Sequence, residues 1–357
     1  MTTRGYYDLP KYFKRYMREL AEGRKRQKSG MRVKKQSIKS YRFTLKLLDE
    51  FAAKKGEALR LRSLDRLNKR ERNKELKYWK TFYDEFTRFL YYEKDCYDNY
   101  VATIIKSLRA FFNYLNNDLN LNIGQFHKQF YARHETLPVL ALSPERVDFL
   151  ASNEAFEKSL NQNLRKYKNT FVFGCTVGLR FSDLTSLDRS NIEYSGDAIY
   201  LVVRSRKTNT PTRLKLPPHA VKIIHEQKRT RKRLFPFYSL SNFNKMIRLI
   251  AEKAGWTEEV RKTRSKGGIP VEVYRNKQKG QPYRFCDLVS SHTMRKTAVT
   301  TLIRMGLSPD MVRKISGHAP NSPEFHRYVD YAQAFLDNET DQAFQRFITP
   351  QKQAILP

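Results

Sequence analysis

Between Leu9 and Leu115, apolar side chains recur at spacings of three and four, a period that points to helices. Asp8-Leu9-Pro10 has the form of a helix start, with proline in the first turn. Ser37 is placed to cap a helix carrying Ile38, Tyr41, Leu45, Leu48 and Phe51. A third stripe runs through Tyr78, Phe82, Phe86 and Phe89, and a fourth through Val101, Ile104, Leu108, Phe111 and Leu115. Four amphipathic helices with short connections predict a small bundle over residues 1–121, its aromatic stripes forming the core.

The helical period lapses over residues 122–142, which read as a linker. Ser143-Pro144-Glu145 then opens a new helix by its cap and N1 proline. Ala198–Arg204 and Thr212–Leu216 are β-rich runs around Thr208-Asn209-Thr210-Pro211 and predict a hairpin. A second hairpin is expected between Val271–Arg275 and Tyr283–Cys286, around Lys279-Gly280. Helices resume at His292 and Pro309. The expected fold is therefore mainly α with a small β-sheet: a helical domain, then a mixed α/β domain over 143–357 that ends in a tail helix.

Composition bears on the partner. Of 357 residues, 69 are Lys or Arg and 36 are Asp or Glu, a net charge of +33. Such an excess repels itself in a compact state unless an anion relieves it. The apolar runs, Thr170–Val177 among the longest, are too short for a membrane span, and no apolar run follows the N-terminal charges as in a secretory signal. Three scattered cysteines, Cys96, Cys175 and Cys286, fit a reducing compartment and no disulfide framework. Nucleic acid is the leading partner, and the run Arg24, Lys25, Arg26, Lys28, Arg32, Lys34 and Lys35 is the candidate backbone contact.

There is no phosphate-binding GxxxxGK[ST] loop, no HExxH and no CxxC, so the sequence implies neither ATP, a cofactor nor a metal. What remains is cationic. Ser290-Ser291-His292-Thr293-Met294-Arg295 precedes an apolar helical run, and a Ser cap puts His292 and Arg295 three apart on one face of the first turn. Free N–H groups at that end also favour an anion. A glycine break at Gly178 precedes Arg180, whose apolar neighbours oblige it to find an anion, either Asp183 or a phosphate. Gly317 should end the helix that Ser308-Pro309-Asp310 starts, delivering His318 just past it. Lys207 stands near the tip of the first hairpin, and Phe325-His326-Arg327-Tyr328 follows His318.

In this order, TVGLRFSDL, RSRKTNTPTRLKLP, SSHTMRKT, ISGHAP and FHRYV resemble the motifs of tyrosine-type site-specific recombinases, in particular integrases of mobile elements of Bacteroides and its relatives. The resemblance runs from about Ser37 to Phe347 and is strongest after Phe171. It implies a core-binding domain followed by a catalytic domain, closing around double-stranded DNA. It implies that the Tyr328 hydroxyl attacks a phosphodiester, leaving a 3′-phosphotyrosine and a 5′-hydroxyl, with no ATP. Arg180 and Arg295 would hold the phosphate as bidentate forks, and His318 would donate a further hydrogen bond. His292 is the candidate base, Lys207 would protonate the leaving oxygen, and Asp183 would orient Arg180. Two departures stand out: Tyr328 lies ten positions past His318, one more than the family's usual spacing, with Tyr331 close by. Also, Trp256–Leu288 is a long basic insertion.

The alternatives are a type IB topoisomerase, which uses a similar residue set, and a non-catalytic DNA-binding protein. The N-terminal bundle and the extension past Tyr328 favour recombination. That extension, Ala332–Ile348, carries Phe335, Leu336, Ala343, Phe344 and Phe347 at helical spacing. It is expected to dock on a neighbouring protomer, giving a tetramer on paired sites, and an accessory DNA-bending factor is compatible with the family. The resemblance places the protein in a bacterial cytoplasm, on the nucleoid.

Overall fold

A computed structural model of the chain describes residues 6–27, 29–65, 67–204, 211–227 and 232–348. The chain forms two compact units, Met1–Leu137 with Lys262–Val273, and Pro138–Arg261 with Tyr274–Pro357. The first holds the expected helices: α1 (Leu9–Glu22), α2 (Lys35–Lys55), α3 (Lys69–Arg88) and α4 (Asp98–Asn117). Asp8 caps α1 by accepting from the Lys11 N–H at 2.9 Å, and Gly23 ends it in the left-handed region. Helix α2 starts three residues earlier than a Ser37 cap implies: Lys34 occupies the cap position and Ser37 lies inside the first turn. Asn68 and Glu71 form a capping box at α3.

The stripes meet in one core of Phe13, Leu48, Phe51, Phe82, Phe86, Leu108 and Phe111. On α3 Trp79, one place on from Tyr78, is also buried, and it stacks on Phe126 at 4.3 Å between centroids. Phe126, with Ile123 and Phe130, belongs to this core, so part of the aperiodic 122–142 stretch is packed rather than a free linker. A short antiparallel pair, Tyr6–Asp8 with Arg60–Arg62, also joins this unit.

The second unit contains α5 (Pro144–Ser152), α6 (Glu154–Ser159), α7 (Gln162–Val177), α8 (Phe181–Leu184), α9 (Pro218–His225), α10 (Leu240–Lys253), α11 (Phe285–Leu288), α12 (Ser291–Arg304), α13 (Pro309–Ser316) and α14 (Pro323–Ile348). Its core includes Tyr167, Phe171, Phe173, Phe235, Phe243, Ile247 and Trp256. Helices α7 and α12 pack against each other, and Met294 fills the space in which a side chain at Gly174 would stand. The first expected hairpin forms, Ala198–Arg204 pairing antiparallel with Pro211–Lys215, and Ile192–Ser195 extends it to three strands. Its tip, including Lys207, lies outside the described residues, as does Lys28.

The second expected hairpin is corrected. Thr263–Lys266 pairs with Ile269–Glu272 around Gly267-Gly268, while Tyr283–Arg284 pairs with Glu259–Val260. Both glycines have positive φ, 64° and 89°, which a tight two-residue hairpin turn accepts and Lys279-Gly280 matches at one position only. This hairpin belongs to the first unit. There the buried Asp98 carboxylate accepts from the N–H groups of Gly267 and Gly268 at 2.8 and 2.9 Å, and Glu135 accepts from the Ser265 N–H at 2.5 Å. Hydrogen bonds to a carboxylate contribute about 1.5–3 kcal/mol. Asp98→Ala should therefore speed amide exchange at Gly267 and Gly268 by roughly 10- to 100-fold, as read by hydrogen–deuterium exchange. Unchanged protection would show that the hairpin is held elsewhere.

Candidate active site

Three helix ends converge on one cationic pocket in the second unit. Helix α7 stops at Gly178, whose φ of 64° is the left-handed C-cap conformation, and Arg180 follows two residues on. Helix α13 stops at Gly317, φ 62°, and His318 follows it. Helix α12 starts at Ser290, capped by its reciprocal bonds with Thr293, with Asn244 Oδ1 accepting from the Ser291 N–H at 2.9 Å. That start sets Arg295 on the inner side of the helix, 5% exposed, while His292 stays exposed.

The Arg295 guanidinium is the hub. Its Nη1 donates to the carbonyl oxygens of Gly178 at 3.0 Å and Ser316 at 2.5 Å, the last turns of α7 and α13. Its Nε donates to His318 Nε2 at 3.2 Å. Its Nη2 is buried with no hydrogen-bond partner among the described residues. Arg180 Nη1 donates to the Gly317 oxygen at 3.4 Å. Burial, and then the charge of Arg180, lower the Arg295 pKa to about 10, with buried Asp183 acting in the opposite sense. A buried guanidinium and a partly buried one in the same site, with one donor unpartnered among the described residues, have the chemistry to receive an anion.

Tyr328 lies on α14 with its ring 5.8 Å from that of His318, edge-on. It is 6% exposed and packs with Val299, Ile303, Val312, Phe325 and Ala332. Tyr331, three residues on, is 44% exposed. Burial and the Glu324 carboxylate raise the Tyr328 pKa, while Arg295, Arg327 and Arg180 oppose them. The His292 imidazole is held below its ordinary pKa by desolvation, Lys296, Arg295 and Arg180, against Glu324. The pocket thus gathers Arg180, Asp183, His292, Arg295, His318 and Tyr328.

Three residues that sequence reasoning passed over also belong here: Lys296, Ser316 and Glu324. The Lys296 pKa is lowered by burial and by Arg327, and its spacing of four from His292 was the available signal. No group of three His, Cys, Asp or Glu side chains able to hold a metal occurs among the described residues, nor any helix long and apolar enough to cross a membrane.

The basic segment of the first unit is partly occupied with its own fold. Arg24 pairs with Glu22, Lys25 with Asp118 at 2.5 Å, and the Arg26 side chain donates to the carbonyls of Gly23 and Gly30. Arg32, Lys34 and Lys35 are exposed. A second basic surface, unforeseen, lies on the first half of α3, where Lys69, Arg70, Asn73, Lys74 and Lys77 line a shallow depression.

The model of the phage integrase family matches residues 153–334. No curated protein matches the chain by sequence. Among solved structures, the chain resembles the XerH site-specific recombinase bound to a palindromic difH substrate, with a TM-score of 0.59 and 14% identity over 85% of this chain and 79% of that one. It resembles the Tn1549 transposon integrase in complex with transposon right-end DNA, TM-score 0.59 and 14% identity over 93% and 99%. A lambda integrase dimer bound to a core site is similar at a TM-score of 0.57 and 14% identity over 91% and 78%. At such identities the likeness establishes the fold.

The pocket geometry hinges on Gly178. A Cβ there would stand 3.2 Å from that of Ala298, on a backbone that L-residues disfavour. Gly178→Ala should cost about 1–2 kcal/mol in chemical denaturation. Undiminished stability would show that the left-handed turn is dispensable.

Proposed function

The chain belongs to the phage integrase family, the tyrosine-type site-specific recombinases, and from that premise we propose that it cuts and rejoins duplex DNA through a 3′-phosphotyrosine at Tyr328. The observation that carries this reading is the buried Nη2 of Arg295, without a hydrogen-bond partner among the described residues, in the pocket with Arg180 and the buried Tyr328. The charge of a phosphoryl transition state spreads over its non-bridging oxygens, so positioned guanidiniums supply most of what the reaction needs. The Tyr328 oxygen attacks phosphorus and the bond to the 5′-oxygen breaks. The phenolic proton passes to His292, and Lys207 protonates the leaving oxygen. The 5′-hydroxyl of another strand reverses these steps.

Tyr328→Phe should abolish the covalent adduct on a suicide substrate while duplex binding persists. Arg180→Ala and Arg295→Ala should each slow cleavage by ~100-fold or more, as for a lost oxyanion-hole donor. An adduct formed by Tyr328→Phe, or lost in Tyr331→Phe alone, would move the nucleophile.

The reaction has a defined acid limb. His292 must be neutral to accept the proton, and its lowered pKa keeps it neutral further into acid than a free imidazole, whose pKa is about 6.5. The cleavage rate at subsaturating DNA, which reports the free enzyme, should hold through pH ~6.5 and fall only below it. A limb centred above that value would remove His292 as the base.

The tail would organise a tetramer on paired sites. An apolar groove of about 1310 Å³ in the second unit, lined in part by Val147, Ile199, Leu214, Val221, Leu302 and Met305, is the proposed receptor for the α14 extension of a neighbouring protomer. Phe344 on that extension is 60% exposed, while the side chains of Phe335, Ala343 and Phe347 lie outside the described residues. Passing a segment around a ring gives closed heterologous contacts. The setting is a bacterial nucleoid, and an accessory DNA-bending factor is compatible with it. Deleting Phe335–Pro357 should impair synapsis, seen by light scattering, more than binding to one site. Normal tetrameric synapses from the truncated chain would end the exchange model.

A further inference from the structure

The last turn of α13 is tied to more than one element. It closes as a Schellman turn, the His318 N–H donating back to the Arg313 carbonyl at 3.1 Å and the Gly317 N–H to that of Lys314 at 3.2 Å. Arg295, from α12, donates to the Ser316 carbonyl of the same turn. From the sheet, the Thr212 hydroxyl donates to the Lys314 carbonyl oxygen at 2.9 Å. Thr212 lies on the strand Pro211–Lys215, the returning arm of the first hairpin, opposite Val203. The neighbouring cross-strand pair on its face is Leu201 with Leu214, whereas Arg213 points the other way, to Glu193. Such a face asks only for an apolar side chain, and valine would match threonine in shape. A hydroxyl only 7% exposed there loses hydration, and it recovers that loss through one directed bond from strand to helix end.

We propose that Thr212 is a positioning residue that registers the hairpin arm against the end of α13, so that the proton donor on the hairpin and the phosphate pocket share one frame. The proposal rests on the reading of Lys207, five positions before Thr212 in the chain, as the acid. In cleavage the bond from the Tyr328 oxygen to phosphorus forms, the bond from phosphorus to the 5′-oxygen breaks, and the Lys207 ammonium gives that oxygen its proton. An ammonium on an arm that has lost its anchor is misplaced, and small misplacements are costly in proton transfer. The guanidiniums do not share this dependence. Arg295 and Arg180 stand on other elements and keep their bonds to the carbonyls of Gly178, Ser316 and Gly317. Loss of the Thr212 hydroxyl therefore slows departure of the 5′-oxygen and leaves the holding of the phosphate intact.

The test uses the full chain and two suicide substrates, one ordinary and one with sulfur in place of the bridging 5′-oxygen at the scissile phosphate. A thiol has a pKa of about 8.5 in cysteine, so the sulfur leaves as a thiolate and needs no acid. Single-turnover cleavage of the oxygen substrate by Thr212→Val should fall about tenfold, the effect of one net hydrogen bond. Its cleavage of the sulfur substrate should stay within about twofold of wild type, with single-site DNA affinity unchanged. Thr212→Ser, which keeps the hydroxyl, should behave as wild type on both substrates. Lys207→Ala is the reference and should show the same selective defect, only larger. Unaltered cleavage of the oxygen substrate by Thr212→Val overturns the proposal, and so does an equal loss on both substrates. If Lys207→Ala is rescued by sulfur and Thr212→Val is not, the acid keeps its assignment and the role of Thr212 falls. If Lys207→Ala cleaves the oxygen substrate at the wild-type rate, the reading of Lys207 fails and takes the proposal with it.

Discussion

A buried guanidinium, one of whose nitrogens has no partner among the described residues, is the constraint around which the catalytic unit is arranged. Arg295 is held by the carbonyls that end α7 and α13, so one cation fixes the spacing of two helix termini. Both helices end on a glycine in the left-handed region, which turns those terminal carbonyls and the following residues, Arg180 and His318, toward the same point. Desolvation brings the Arg295 pKa down to about 10, yet at neutral pH the group remains charged. The fold thus bears an electrostatic cost that an entering phosphate would relieve. Strain of this sort belongs at functional sites, where stability is given up for a pre-set geometry.

Much of this was legible in the sequence because it is local. Gly178 before Arg180, Gly317 before His318 and Ser290 before His292 and Arg295 are helix-end signals, and each was realised at its expected position. The i, i+3 spacing of His292 and Arg295 correctly placed them on one helix start, but it could not tell which of them would turn inward. The contacts of His318 with Arg295 and Ser316 come from the packing of α12 against α13, and sequence spacing carries no information about which nitrogen meets which partner. The β register failed for a related reason. Pairing Thr263–Lys266 with Ile269–Glu272 was decided by Gly267-Gly268, and its docking depends on Asp98 and Glu135, more than a hundred residues earlier in the chain.

Charge counting identified the class of partner but not the residues that meet it. Arg26 lies in the basic run, yet its side chain braces the loop from Gly23 to Gly30, and Lys25 reaches Asp118. Basic residues in a short loop serve the fold first wherever carbonyls or carboxylates are at hand. Helix α3 shows the converse. Its apolar stripe drew the assignment of core residues, while Lys69, Arg70, Lys74 and Lys77 on its outer side formed a basic surface. An amphipathic helix has two faces, and on a chain with a net charge of +33 the polar one is as informative as the core one.

The position of Tyr328 on α14 links chemistry to assembly. Tyr328 and Ala332 are four residues apart and both point into the core with Val299, Ile303 and Val312, whereas Tyr331 faces outward. Tyr328, the proposed nucleophile, is therefore held by the packing of one helical turn rather than by a flexible loop. The same helix continues without a break to Ile348. A continuous helix transmits a change at one end as a rotation or shift at the other, and a step of one residue turns a side chain by roughly 100°. Such a rotation would take Tyr328 out of line with the anion pocket while leaving Arg180, Arg295 and His318, which sit on other elements, in place. Control of cleavage through the tail then needs no second site. It needs only that the last turns of α14 have two docking states, and that the contacts of Tyr328 and Ala332 favour one of them.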